Sequence, residues 1–189
     1  MELSVIRHTR LDIAGGICYG QSEVALADSH EQELAALRQQ LPGPFCKIYS
    51  SPLARCRRLA NALGGSVETD ARLLEYDFGD WELCAWNDID ATQLDRWMQD
   101  FVNLPAPNGE SLLEMQARVD EFLGELRESN HEHCLLVTHA GVIRCIWAHL
   151  LRIPLGEIFK LEVGYGEVLR IRLGESPDFD VVRSTLPRD

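Results

Sequence analysis

No apolar run in the sequence approaches the roughly 20 consecutive residues that a membrane-spanning helix needs, so no membrane partner is expected. The opening residues Met1-Glu2-Leu3-Ser4-Val5-Ile6-Arg7 lack the plan of a secretory leader and read instead as a first strand. Six cysteines occur, at positions 18, 46, 56, 84, 134 and 145, but no Cys-x-x-Cys pair. A disulfide framework or thiolate metal site is therefore not indicated. Cys134 stands before Leu135-Leu136-Val137, where core packing accounts for it, and a reducing cytoplasm is the expected compartment. Positive charge is scarce: 18 Lys and Arg face 30 Asp and Glu, a net charge of −12. Such a surface repels nucleic acid and anionic lipid, so any positive pocket must be local. Internal repeats, low-complexity tracts and linkers are also missing. The whole span, 1–189, is expected to form a single domain with a substantial core.

Strands and helices alternate, which predicts an α/β sheet that is at least partly parallel. Residues 3–7 form a short apolar strand running into a polar, glycine-containing loop. Residues 30–40 carry Leu34, Ala35 and Leu37 at helical spacing, stopped by Pro42-Gly43-Pro44. A second strand is expected at 46–50, a helix at 53–63, and another helix at about 91–101. A long amphipathic helix at 111–127 buries Leu112, Met115, Val119, Phe122, Leu123 and Leu126. The most buried strand spans 133–138, followed directly by a helix at about 142–151. Residues 157–163, 167–173 and 179–184 read as strand material at the sheet edge.

Three strand ends carry polar residues that a plain core would not need: Arg7-His8-Thr9, Ser50-Ser51-Pro52-Leu53-Ala54-Arg55, and Thr138-His139-Ala140-Gly141. Open α/β sheets bind ligands at the carboxyl ends of their strands, so these ends should converge on one crevice. A neutral imidazole can attack phosphorus without a metal. Arginine matches phosphate oxygens with a planar fork of N–H donors, and a helix N-terminus adds backbone donors. The leaving oxygen needs a proton. Glu75, with apolar neighbours in the segment Leu73-Leu74-Glu75-Tyr76-Asp77-Phe78-Gly79-Asp80-Trp81-Glu82, is the best-placed donor.

These motifs, in this order, resemble the histidine phosphatase (phosphoglycerate mutase-like) superfamily. The resemblance covers the Arg-His strand end, Ser-Ser-Pro-Leu-x-Arg, Glu-x-x-x-Gly-x-Trp-Glu and Val-Thr-His-Ala-Gly-Val. Gly109-Glu110-Ser111 with Arg118-Val119 is similar to that family's helix after the cap segment. The match spans roughly residues 3–146. It implies a three-layer sandwich, a mostly parallel central sheet with helices on both faces and a small cap-like insertion at about 76–108. It implies His8 as nucleophile, Glu75 as proton donor, and Arg7, Arg55, His139 and Ala140 around the phosphate, with no cofactor or metal and a small phosphomonoester as substrate. Thr9 and Arg10 replace the Gly and acidic or amide residue that usually follow Arg-His, and Ala14 stands where an asparagine is common. Arg10 or Gln21 is the expected substitute contact. The loop Tyr19-Gly20-Gln21 resembles that of α-ribazole phosphatases, which sets α-ribazole 5′-phosphate as the expected substrate. A broad-specificity sugar or nucleotide phosphatase is the alternative, and a non-catalytic phosphate-binding protein on the same fold is the rival from another class.

Other conspicuous residues read as structural. Arg57 and Arg58 are expected on a solvated helix face, and Glu82, an alternative candidate for the acid, is expected at the surface. Asp77 and Asp80 fit loop or capping positions, and His30 and His149 read as helix residues without partners. His131 and His133 alternate as strand-edge ligands can, but no further ligand stands at convincing spacing. Trp81, Trp86 and Trp97 fit a substrate cap and core packing equally well. The sequence does not determine an oligomeric state.

Overall fold

The computed structural model describes residues 1–129 and 131–183. A six-stranded sheet runs in the order β3-β2-β4-β1-β5-β6. Its strands are β1 (Glu2–Arg7), β2 (Lys47–Ser50), β3 (Val67–Thr69), β4 (His133–Thr138), β5 (Val168–Arg172) and β6 (Val181–Arg183). The first four are mutually parallel, and β5 and β6 are antiparallel additions on the β1 edge. The central pair β1 and β4 is buried almost throughout, which is why both read as near-continuous apolar runs rather than alternating ones. Alternate residues face opposite layers. Leu3, Val5, Cys134 and Leu136 pack into one core, and Ile6, Leu135 and Val137 into the other.

Helices α1 (His30–Gln40) and α2 (Ala54–Leu63) cover one face through Leu34, Leu37, Cys56 and Leu59. Helices α4 (Leu112–Glu128) and α5 (Ala140–Leu151) cover the other. The result is the expected three-layer sandwich. All six apolar residues assigned to the stripe of α4 are buried. Its start is set by a capping box in which Ser111 and Glu114 bond reciprocally. Among the described residues no helix is long and apolar enough to cross a membrane.

Between α2 and α4 the chain forms short 3-10 turns and the helix α3 (Ala91–Gln99). This segment is sewn to the loop after β1. Cys18 N–H donates to Cys84 O at 2.8 Å, Leu83 N–H to Cys18 O at 2.8 Å, and Trp86 N–H to Gly16 O at 2.9 Å. The tail departs from expectation. Residues 157–163 are not a strand, because Leu155–Lys160 coils as a 3-10 helix after Pro154 and buries Ile158. The third tail strand shortens to β6, and Ser184 lies outside the described residues. The short edge strand β3 was not anticipated.

Candidate active site

The carboxyl ends of β1 and β4 lie side by side, because Arg7 pairs in register with Thr138. The residues that follow, His8 and His139, face one another with ring centroids 5.2 Å apart. The end of β2 adds Ser51 and, in the first turn of α2, Arg55. His8, Ser51, Arg55 and His139 are all essentially buried.

Hydrogen bonds fix the protonation of both rings. The Nδ1 of His8 lies 2.8 Å from the Thr9 carbonyl oxygen. A carbonyl only accepts, so Nδ1 carries the proton and Nε2 keeps its lone pair. Burial, opposed by that hydrogen bond and aided by the charges of Arg55 and Arg7, pulls the His8 pKa down to about 3. His139 has the opposite tautomer. Its Nδ1 accepts from Arg55 Nε at 3.3 Å, so its Nε2–H donates to Ser51 Oγ at 2.8 Å. Burial, with His8 and Arg55 nearby, holds its pKa well below the ordinary histidine value. Both imidazoles are neutral at physiological pH, and His8 offers a free lone pair of the kind a nucleophile needs.

Arg55 also donates through Nη1 to Ser22 O at 2.7 Å and through Nη2 to Gly20 O. Three of its five N–H groups are thus committed, and two remain. The turn that receives it is held from the other side by Glu82, whose carboxylate accepts from the N–H groups of Gly20, Gln21 and Ser22 at 2.9–3.1 Å. Burial alone would raise the Glu82 pKa, but these hydrogen bonds prevail and hold it below its ordinary value. Glu82 is therefore not a surface residue. It is an ionised anchor that sets Arg55 through two intervening carbonyls. Arg7 lies with its guanidinium 3.8 Å from the Tyr165 ring centroid and donates to Val163 O at 2.5 Å. Its Nε is buried without a protein partner, a donor that an oxyanion would satisfy.

Arg7, His8, Glu75, Ala140 and Gly141 line one end of a cavity of about 230 Å³. Glu75 is held by backbone donors, Tyr76 N–H to Oε1 at 3.0 Å and Gly141 N–H, in the first turn of α5, to Oε2 at 3.1 Å. The other end is walled by Phe78, Trp86, Trp97, Phe101 and Phe159, with Arg144 as a half-buried cation beside Phe159. Arg55 and His139 stand behind His8 and do not line the cavity. Gln21 does not line it either: its side-chain amide donates to the Glu75 carbonyl at 3.1 Å. Of the three tryptophans, Trp86 and Trp97 line the cavity while Trp81 packs edge-on beneath Trp97.

Several residues were not singled out from the sequence. Tyr165 covers Arg7 and bonds Tyr19 across 2.8 Å, Arg144 faces the cavity, and Ser51 holds His139. His30 and His149, expected to be unpartnered, bond Thr9 at 2.7 Å and Asp120 at 2.9 Å. Among the described residues no group of three or more His, Cys, Asp or Glu converges in a metal-binding arrangement.

The family model of the histidine phosphatase superfamily (branch 1) matches residues 3–184. The adenosylcobalamin/alpha-ribazole phosphatase of Salmonella typhimurium is 28% identical over 177 residues, covering 88% of this chain and 87% of that protein. The glucosyl-3-phosphoglycerate phosphatase of Mycobacterium tuberculosis is 30% identical over 171 residues, covering 81% and 76%. The crystal structure of the alpha-ribazole phosphatase from Shigella flexneri superposes with a TM-score of 0.88 at 25% identity, covering 97% of this chain and 95% of that one.

Proposed function

The chain belongs to the histidine phosphatase superfamily, and from that premise we propose that it hydrolyses α-ribazole 5′-phosphate through a phosphohistidine at His8. The observation that carries the substrate is the cavity. One end presents His8, Arg7 and Glu75, and the other is an aromatic slot suited to the flat base of that ester. The relatives named for the same substrate support the reading.

In the first step the Nε2 lone pair of His8 bonds to phosphorus as the bond to the ester oxygen breaks. A proton on the Glu75 carboxyl passes to that oxygen, which leaves as the alcohol. Water then attacks the phosphorus, Glu75 takes a proton from it, and the N–P bond breaks to release phosphate. Arg7 and the first-turn N–H of Ala140 line the cavity where charge develops on the phosphoryl oxygens, and the positive charge of Arg55 supports them from behind His8. His139 acts beside them, holding Arg55 Nε while remaining neutral. A metal is not needed for these steps.

A second reading has its own observation. Arg144 lines the slot and can pair with a carboxylate, as the phosphate ester of a hydroxy acid would require. The test is kcat/KM for α-ribazole 5′-phosphate beside 3-phosphoglycerate, phosphoserine and simple sugar and nucleotide esters, in excess chelator, with His8→Ala as control. We expect α-ribazole 5′-phosphate to lead and the control to lose at least about 10³-fold. Retained activity in the control, or its abolition by chelator, would remove the phosphohistidine. A carboxylate ester in first place would instead favour the second reading.

A further inference from the structure

Glu75 lies in residues 74–78, a stretch between two short 3-10 turns that belongs to no helix or sheet ladder. Its position must therefore be imposed from outside. Arg118, on α4, joins the Gln21 amide in holding its backbone. Its Nη1 donates to the carbonyls of Arg72 at 2.7 Å and Leu74 at 2.8 Å, and its Nη2 donates to that of Glu75 at 3.1 Å. The same guanidinium grips Glu110 through both carboxylate oxygens, Nε to Oε2 at 2.9 Å and Nη2 to Oε1 at 2.6 Å. Glu110 in turn binds the far side of the stretch. Its Oε1 accepts from Asp77 N–H at 3.0 Å, and its own N–H donates to Asp77 O at 3.1 Å. Both side chains are largely buried, at 18% and 17% exposure. One planar fork thus holds three backbone acceptors at and just before Glu75, those of residues 72, 74 and 75, and its ion-pair partner holds the residue two beyond.

We infer that Arg118, locked by Glu110, is a positioning residue that sets the Glu75 carboxyl for proton delivery to the leaving oxygen. The inference rests on the reading of Glu75 as proton donor. Arg118 lines no part of the cavity and so touches no reacting atom; its charge also helps to keep His139 neutral, an effect that a lysine at 118 would preserve. Catalytic groups tolerate displacements of only about 0.5 Å. A lysine keeps the charge of Arg118 but not the fork, and it cannot serve three carbonyls and a carboxylate at once.

The experiment compares two esters of similar size whose leaving groups differ in their need for a proton. Benzyl phosphate releases an alkoxide unless it is protonated, whereas p-nitrophenyl phosphate releases a stable phenolate unaided. The readout is kcat/KM, which covers only the steps through phosphoryl transfer to the enzyme. Arg118→Lys should lose about 100-fold on benzyl phosphate and less than about fivefold on p-nitrophenyl phosphate. Glu110→Gln, which preserves volume, should shift the ratio in the same direction by about tenfold. It decides the matter if Arg118→Lys melts below the assay temperature. Equal losses on both esters would reduce the clamp to a structural staple and overturn the inference. Glu75→Gln on the same pair separates the two layers of argument. If it also loses equally on both esters, the proton-donor reading itself has failed. If it alone shows the selective loss, only the role of Arg118 has.

Discussion

His8 and His139 sit 5.2 Å apart with opposite tautomers, and each is dictated by a single neighbour that can play only one hydrogen-bonding role. The low pKa of His8 has a consequence for stability as well as chemistry. In the unfolded chain His8 takes up a proton below about pH 6.5, while in the folded protein it stays neutral down to about 3. Across that window the unfolded state binds more protons, so stability falls as pH falls. Between pH 6.5 and 4 this one residue should remove roughly 3 kcal/mol. The unfolding midpoint of His8→Ala should therefore decline less steeply with acid than that of the native protein, in urea titrations at stepped pH. Parallel slopes would show that His8 is protonated in the folded state. At this scale the sequence was informative where a residue follows a strand. His8, Arg55 and His139 were all legible as strand-end residues with chemistry to do. Tyr165 and Glu82 were not, because their partners lie 158 and 62 residues away along the chain, between Arg7 and Tyr165 and between Gly20 and Glu82.

The junction of β4 and α5 does two jobs within four residues. It ends the strand with His139 and immediately starts a helix whose first turn holds Glu75. That closeness depends on Gly141. A Cβ there would lie 2.1 Å from Glu75 Oε1. Gly141→Ala should leave the fold intact, since alanine is the better helix former, yet displace the carboxyl and cost about 100-fold in kcat/KM on an alkyl ester. Unchanged turnover with an unchanged melting temperature would mean that Glu75 can retreat without loss. The long helix α4 was readable almost to the residue from its apolar stripe, and the Ser111–Glu114 capping box found in the structure fixes its start. The tail was not. Residues 157–163 are rich in apolar side chains but too short for periodicity to separate a strand from a 3-10 turn, and packing of Ile158 decided it.

The molecule brings three of its 18 basic residues to the site. Against a net charge of −12, Arg7 and Arg144 line one crevice and Arg55 stands behind it, near Tyr19. The aromatic slot comes from parts that are distant in sequence: Ile17 from the first loop, Phe78, Trp86, Trp97 and Phe101 from the middle, and Phe159 near the end. Trp86→Ala should raise KM for an ester with an aromatic leaving group about tenfold while changing KM for glycerol 3-phosphate less than twofold. Equal changes would assign Trp86 to packing alone. Alternating strands and helices predict a partly parallel α/β sheet and the family resemblance implies its three layers, but the split of the tryptophans was not legible, since both roles demand apolar rings in the same segment.

The stitching of residues 16–18 to residues 83–86 bears on how such enzymes diversify. A new substrate slot cannot be transplanted by exchanging the middle segment alone, because its backbone is paired to the first loop. The exchangeable module is discontinuous, two stretches of chain that must be inherited together. Recombination between them separates two segments of backbone that pair through three hydrogen bonds.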